Sequence, residues 1–277
     1  MEARLASLRS LRRVSVARHV RLFGTQLKLS MVVAMQYRWD FIVDGVMSVF
    51  WTVTALIPLY LVFQERPVIA GWRYGEALVV VGWFTLLDAV LKGAINPSLT
   101  TVIEHIRSGT LDFVLLKPAD AQFLVSTARF APWRALGFVA AGAVFAYAFR
   151  ELGEGPSPGA LATSAAMLAA GVTVLYSLWI IVVAVAFRAV RIDNLRYLFE
   201  AIFDAARWPA SVFKGVVSFL FTFIIPLALM TTYPAEALLG RLSPERFVGS
   251  LVGAAVFAIL ARVIWLRSIA TYTSASS

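Results

Sequence analysis

Residues 96–120 have the sequence NPSLTTVIEHIRSGTLDFVLLKPAD and lie between two long apolar stretches. Apolar side chains recur in the first half at the i, i+3, i+4, i+7 spacing of one helix face, at Leu99, Val102, Ile103 and Ile106. Asn96 is suited to cap such a helix, Pro97 to occupy its first turn, and Gly109 to end it in a left-handed conformation. The stretch therefore predicts a short amphipathic helix over residues 97–108.

An amphipathic helix between two membrane crossings needs a surface for its apolar face. One alternative is the membrane surface, and the other is a groove on a soluble partner. The residues assigned to this element are Asn96, Pro97, Leu99, Val102, Ile103, Glu104, Ile106, Arg107 and Gly109.

The composition places the chain in a membrane. Its 277 residues are 60% hydrophobic with a mean hydropathy of +0.79, well above the range of soluble domains. We expect an all-α integral membrane protein, because each apolar run is long enough to cross the bilayer as a helix. The expected domain covers residues 41–277, with spans at about 41–63, 76–95, 131–149, 160–187, 216–238 and 247–266.

The N-terminal segment, residues 1–40, has a different character. It holds eight Lys or Arg residues and no continuous apolar region followed by a cleavage site. Apolar residues at helical spacing, from Val16 to Ala34, lie opposite a basic face. This pattern predicts a cytoplasmic amphipathic helix at the membrane interface.

Three local features are expected to interrupt the predicted spans or to set how they pack. Pro132 predicts a kink in a third helix that extends back to Ala121. Pro226 interrupts the fifth span, so a full crossing must borrow residues from either flank. Gly249 and Gly253 form a small-xxx-small motif in the last span, for which packing within the chain and a dimer contact are both open.

Charge counting predicts the orientation. With a cytoplasmic N terminus, 20 of the 25 basic residues fall in cytoplasmic segments and five in external ones. Both termini, residues 96–120 and the loop 188–214 are then cytoplasmic. Arg262 is expected to extend toward the interface from the last span.

The sequence offers no catalytic or cofactor-binding motif. It has no phosphate-binding loop, no nucleophile elbow and no cysteine, and His19 and His105 have no metal-ligand partner at a usable spacing. We expect solvated histidines, no metal, no cofactor and no nucleic-acid partner. The spans also lack the midplane carboxylates of an ion-driven carrier. Any transport energy should therefore come from a separate protein.

Charged residues inside the first two spans are the remaining candidates for a site. Asp88 and Lys92 share one helix face, so an i, i+4 ion pair explains them without a function. The alternative is a substrate vestibule in the inner leaflet, attractive to a cation. The residues assigned to it are Asp44, Trp51, Phe84, Asp88 and Lys92.

Three patches carry a family resemblance: YRWDFIVDG at 37–45, IRSGTLDFVLLKPAD at 106–120 and FIIPLALMTTYPAEALLG at 223–240. Together with the order of elements, they resemble the membrane subunit of type 2 (ABC-2) ABC exporters. The similar branch often serves in multidrug, antibiotic or viologen export. The charged residues of the second span belong to no motif of that family.

The resemblance implies that residues 97–108 form a coupling helix seated on a cytoplasmic ATPase subunit, which binds the ATP. It implies two permease chains, identical or paralogous, above two ATPase subunits in a bacterial-type inner membrane. The expected function is export of a lipophilic or amphipathic compound, with a cation as one option. The alternative is a stand-alone carrier or membrane scaffold without an ATPase.

Overall fold

The computed structural model of the chain describes residues 16–36, 38–185, 187 and 193–272. These residues are mostly helical. The helices are α1 (Val16–Gln36), α2 (Arg38–Glu65), α3 (Tyr74–Val90), α4 (Asn96–Arg107), α5 (Asp112–Leu115), α6 (Ala121–Ser126), α7 (Leu136–Leu152), α8 (Pro158–Val185), α9 (Asp193–Asp204), α10 (Gly215–Phe219), α11 (Tyr233–Leu238) and α12 (Pro244–Ala270). Strands β1 (Val68–Ile69) and β2 (Trp72–Arg73) form an antiparallel hairpin.

Shorter helical turns connect these elements. The 3₁₀ turns are Pro132–Ala135, Ala205–Arg207 and Ala210–Val212, and the π-helical turns are Leu91–Ile95, Leu220–Ile224 and Ala228–Thr232. We call the end of the bundle that carries β1 and β2 the hairpin end. The opposite end, where α4 stops, is the tip end.

Five helical stretches among the described residues are long and apolar enough to cross a membrane. They are Gly45–Glu65, Tyr74–Arg107, Pro132–Leu152, Pro158–Val185 and Pro244–Ala270. They overlap the predicted spans at 41–63, 76–95, 131–149, 160–187 and 247–266. The protein is therefore a multi-pass, all-α membrane protein.

Burial differs sharply among these helices. Most of α3 and α8 is buried, whereas α2 and α12 expose apolar side chains along much of their length. A helix that is apolar all round is a core or lipid-facing helix. Accordingly, α3 and α8 form the centre of the bundle, and α2 and α12 form its apolar outer surface.

Two glycines bring α3 and α7 close together. A Cβ atom at Gly82 would lie 2.6 Å from Cε1 of Phe145, and one at Gly137 would lie 2.7 Å from Cβ of Ala89. No side chain fits at either position without displacing a neighbour. We expect Gly82→Ala to destabilise the packing of α3 on α7 by about 1–3 kcal/mol.

The third predicted span is interrupted instead of kinked. The backward extension exists as α6, but Thr127 to Ala131 separates α6 from the turn at Pro132. The predicted continuous helix from Ala121 is therefore wrong. Proline lacks the amide donor and disfavours a helical conformation in the residue before it, so the chain leaves the helix ahead of Pro132.

The predicted fifth span at 216–238 is not one helix. The helical backbone stops at Ile224, because Ile225 has φ −121° and ψ 84°, and it resumes after Pro226. Pro226 and Leu227 are buried, so protein covers the irregular backbone. Residues 215–224 and 228–238 are two separate short helical segments.

The chain instead traverses the bundle earlier, between Glu200 and Ser211. Asn96 Nδ2 near the tip end donates to Glu200 Oε1 at 3.1 Å, and Trp72 Nε1 at the hairpin end donates to Ser211 Oγ at 3.1 Å. Between them, the ring centroids of Phe84 and Phe203 are 5.3 Å apart. The prediction of a loop confined to one side over 188–214 is therefore wrong for residues 200–211.

Residues 212–240 leave the hairpin end and return to it. Ser211 Oγ donates to the Ala70 carbonyl at 3.1 Å, and Arg241 Nη1 lies 3.0 Å from Glu76 Oε1. Between these two contacts, the Met230 carbonyl reaches the middle of α8, 3.3 Å from where a Cβ of Gly171 would stand. This segment is re-entrant.

Helix α1 packs on the segment before α7. The His19 and Phe123 rings meet edge to face at 4.6 Å, the Phe23 and Phe130 rings at 5.5 Å, and Ser30 Oγ accepts from the Phe130 amide at 3.1 Å. His19 is partly exposed and packs on an aromatic ring. Residues 1–15 of the predicted N-terminal helix lie outside the described residues.

Candidate functional site

Helix α4 is a direct continuation of α3. The π-helical turn Leu91–Ile95 joins them, so Tyr74–Arg107 is one helix of 34 residues, about 50 Å long. Asn96 has helical φ −56° and ψ −48°, so the predicted N-cap role is wrong. Since the membrane core is about 30 Å thick, the α4 part projects beyond it.

Pro97 explains the turn between the two helices. A proline cannot donate to the carbonyl four residues before it, which here belongs to Gly93. That carbonyl instead accepts from the Ala131 amide at 2.8 Å. The wide turn at 91–95 and this bond let the helix continue through Pro97 and tie it to the chain preceding α7.

Gly109 ends α4 as predicted, in a left-handed conformation with φ +67°. The Thr110 amide donates to the His105 carbonyl at 3.0 Å, and Nδ1 of His105 lies 2.7 Å from Thr110 Oγ1. His105 is partly exposed and has a partner within this turn. The turn fixes the direction in which the chain leaves α4.

The apolar face of α4 is buried inside the chain itself. Leu99 and Val102 are 1% exposed and Ile103 is 6% exposed, packed in the same cluster as Trp179 and Val183 of α8. The sequence left two partners open for this face, lipid and a separate protein. Because α8 covers the face, it contacts neither of them. Ile106 is partly buried at the edge of the same cluster.

The surface that remains exposed at the tip end combines charge with two apolar side chains. Phe113 is 71% exposed and Leu116 is 80% exposed, one turn apart on α5 and the residue after it. Leu111, beside them, is fully buried and anchors the turn. We define the docking surface as Glu104, Arg107, Phe113, Leu116 and Lys117, all exposed.

Phe113 and Leu116 were absent from the predicted site, although the sequence carried a signal for them. The apolar run FVLL at 113–116 lies between the charged residues Asp112 and Lys117. The first and last residues of the run are exposed, whereas Val114 and Leu115 between them pack against the core. A short apolar run in a polar loop can thus mark an exposed patch as well as a buried turn.

Asp120 connects this tip to the last helix. Arg262 Nη2 of α12 donates to Asp120 Oδ2 at 2.6 Å, and Arg262 Nη1 donates to Gln122 Oε1 at 2.8 Å. Gln122 Nε2 donates in turn to the Tyr176 hydroxyl of α8 at 3.1 Å. Arg262 is therefore held in a network at the tip end, and 42% of its side chain remains exposed.

The charge state of Asp120 follows from these contacts. Partial burial works to raise the pKa of this carboxyl, but the hydrogen bonds from Arg262 and from the Phe123 amide outweigh it, and the pKa is lowered. The ionised carboxylate also caps α6 through the bond from the Phe123 amide at 2.9 Å. The pair is thus charged at neutral pH.

A second candidate site is a cavity of about 340 Å³ between α2, α3, the start of α7 and the segment 204–207. Four of the residues predicted for a vestibule line it: Trp51, Phe84, Asp88 and Lys92. Asp88 and Lys92 form the expected ion pair, at 2.8 Å. The side chain of Asp44 lies outside the described residues.

Three further charged residues line this cavity: Arg134, Asp204 and Arg207. Asp204 Oδ1 lies 3.0 Å from Arg207 Nη2, and the Arg207 guanidinium stands 5.1 Å from the centre of the Phe84 ring. Among the described lining residues, three are basic and two are acidic. This excess of basic residues does not favour the cationic substrate that the sequence suggested.

The glycine motif of the last span packs within the chain at only one of its positions. A Cβ atom at Gly253 would meet Leu229 Cδ1 at 3.4 Å, whereas one at Gly249 would have no described neighbour within 4 Å. The side of α12 that carries Gly249 is thus open among the described residues.

Comparison with known proteins identifies the family. The model of the family described as ABC-2 family transporter protein matches residues 49–276. No curated protein and no solved structure matches the chain. Members of this family are the membrane subunits of ABC transporters and generally work with a cytoplasmic ATPase. Since the match covers most of its length, the chain belongs to the ABC-2 transporter family and is a permease that is not itself an ATPase.

Proposed function

We propose that the chain is the permease subunit of an ATP-driven exporter and that its docking surface binds a separate cytoplasmic ATPase subunit. The observation that carries this proposal is the exposure of Phe113 and Leu116, at 71% and 80%, at the end of a helix of 34 residues. Large apolar side chains surrounded by charge are typical anchors of a protein interface.

The burial of the apolar face of α4 fits a protein partner better than a lipid surface. The face that would lie on lipid is already packed against α8. The charges of the docking surface are mixed, with Glu104 beside Arg107 and Lys117, so they do not form the wholly basic cluster that anionic headgroups attract. The proposed partner supplies an apolar pocket for Phe113 and Leu116.

The tip is connected to the membrane helices in a way suited to transmit movement. Tyr74–Arg107 is continuous, so displacement of α4 displaces α3 directly. The pair of Asp120 with Arg262 connects the same tip to α12. Docking and release of an ATPase at the tip would therefore tilt several helices together, as in rigid-body switching.

We further propose that two such permease chains, identical or paralogous, pair above two ATPase subunits in a cytoplasmic membrane, with both termini in the cytoplasm. The bias of basic residues toward the tip end supports this orientation. The exposed apolar side chains of α2 and α12, together with the open position at Gly249, offer a contact to a second chain. The cargo is an amphipathic compound.

Co-purification tests the proposal. The permease is co-expressed with a candidate phosphate-loop ATPase from the same genome, and the double variant Phe113→Asp/Leu116→Asp is compared with Val68→Asp. Val68 is 55% exposed at the hairpin end and so is a matched control. We expect the ATPase to be retained by the wild type and the control and lost from the double variant. Equal retention by all three chains would contradict the proposed docking surface.

A further inference from the structure

The charged cavity contains two ion pairs that do not join helices. Lys92 pairs with Asp88 one turn before it, and Arg207 pairs with Asp204 three residues before it. Each pair closes within its own stretch of chain. Neither ion pair joins α3 to the segment 204–207; Phe84 of α3 instead contacts the Phe203 ring and the Arg207 guanidinium.

Charged side chains at this depth are unfavourable unless they are paired, and where they also line a cavity they often mark a ligand site or a pathway. Asp88 and Lys92 lie inside the stretch Tyr74–Arg107, which is apolar enough to span a membrane. Both side chains keep access to the cavity, with 41% of Lys92 and 24% of Asp88 exposed. An ammonium group has three donors, and the described contact with Asp88 uses one of them.

The cavity also has an apolar wall. Met47, Trp51 and Ala55 follow one face of α2 at a spacing of four residues and line the cavity opposite the charged pairs. Trp51 is 64% exposed, so it stands at the mouth of the cavity on the outer side of the bundle. The site thus offers an apolar approach from the bilayer and basic groups inside.

We propose that this cavity binds the acidic group, a carboxylate or a phosphate, of a small single-chain amphipathic cargo. Lys92 and Arg207 donate to the acidic group, Arg134 adds a third positive charge, and Trp51 and Phe84 contact the apolar part. Guanidinium groups suit oxyanions of both kinds. The volume of about 340 Å³ is at the lower end for ligand pockets, which selects a small cargo over a diacyl lipid.

This inference rests on the proposed permease function and can be tested separately from it. The full-length chain, together with its ATPase, is placed in nanodiscs of neutral lipid. Binding of radiolabelled decyl phosphate is measured, with unlabelled decanoate, decyltrimethylammonium and dioleoyl phosphatidate as competitors. Empty nanodiscs correct for partition into lipid, and binding to the chain alone is measured if no ATPase assembles.

We expect decyl phosphate to bind and decanoate to displace it, whereas the cation and the diacyl lipid do not. Arg207→Gln should weaken binding by about tenfold or more, and Arg207→Lys by less, since a charged donor is retained. The double variant Asp88→Asn/Lys92→Gln removes the other ion pair without leaving a lone charge. This variant should also weaken the binding of decyl phosphate. Arg150→Gln, at an exposed position away from the cavity, is the control and should bind normally.

Four results would overturn the inference: no binding of decyl phosphate, displacement by the cation, displacement by the diacyl lipid, or unchanged binding in both cavity variants. ATPase co-purification is recorded on the same samples. A complex that assembles but binds no acidic amphiphile refutes the cargo assignment and leaves the permease function standing. Binding without any ATPase assembly refutes the proposed function and leaves the cavity assignment standing.

Discussion

Arg262 of α12 forms a two-point contact with Asp120, a residue 142 positions earlier in the chain, through Nη1 at 3.2 Å and Nη2 at 2.6 Å. The same guanidinium also donates to Gln122. Asp120 stands at the start of α6, close after the docking surface. This contact is therefore a direct connection from the proposed docking surface to the last membrane helix.

The Asp120–Arg262 pair should couple energetically. We expect a double-mutant cycle with Asp120→Asn and Arg262→Gln to give an interaction of about 1 kcal/mol, since both side chains are more than one-third exposed. The measurement is the unfolding free energy in detergent. The single variants should still bind the ATPase but show less cargo-stimulated ATP hydrolysis. Additive effects of the two substitutions would show that the pair is not coupled.

The lowered pKa of Asp120 predicts a pH dependence of stability. For a carboxyl with a depressed pKa in the folded state, the stabilisation is complete above its unfolded pKa, about 3.9. This stabilisation is lost as the pH falls through the lower pKa that the carboxyl has in the folded state. The difference in thermal midpoint between wild type and Asp120→Asn should therefore be constant from about pH 5 to 8 and shrink below about pH 4. A difference that shrinks between pH 8 and 6 would contradict this assignment.

Ile103 should act on the fold and not on docking. If the apolar face of α4 lay on the ATPase, Ile103→Asp would leave the chain inserted and abolish ATPase binding or coupled transport. Because Ile103 is 6% exposed and packed in the core, we expect this variant to lose about 3–5 kcal/mol of stability. Ile103→Val should lose about 0.5–1.5 kcal/mol and bind the ATPase normally. Thermal unfolding in detergent separates the two outcomes, and a stable Ile103→Asp chain would place this side chain in the interface.

Cysteine labelling tests the re-entrant segment, because the chain has no native cysteine. Ser157, Lys214 and Ser108 are all exposed, whereas Ser98 is fully buried and unsuited to labelling. We expect Ser157→Cys and Lys214→Cys to react with an impermeant thiol reagent from outside, and Ser108→Cys to react only after the membrane is opened. If Lys214→Cys is protected in the same way as Ser108→Cys, residue 214 lies in the cytoplasm, as the sequence predicted for the loop 188–214.

The sequence was sufficient for those elements that depend on local pattern. The long apolar runs predicted the regions of the five span-length helices, and the spacing from Leu99 to Ile106 predicted α4. Gly109 marked the left-handed end of α4 because few other residues adopt that conformation. The Asp88–Lys92 pair followed from the i, i+4 geometry of one helix.

The sequence was not sufficient where the environment of a residue comes from distant parts of the chain. Helical spacing identified the apolar face of α4 but not the surface that covers it, which is α8. Asp204 and Arg207 made their segment resemble a loop, because a hydropathy pattern cannot show that charges face a cavity and not lipid. The pairing of Asp120 with Arg262 left no local signal at either residue.

The proposed binding site for the ATPase is the tip that carries Phe113 and Leu116. Photo-crosslinking tests it most directly, with p-benzoyl-phenylalanine placed at Leu116 or, as control, at Val68 of the hairpin end in the active complex. We predict a crosslink to the ATPase subunit from position 116 and none from position 68. An active complex that gives no crosslink from 116, or gives one from 68, would contradict the claim.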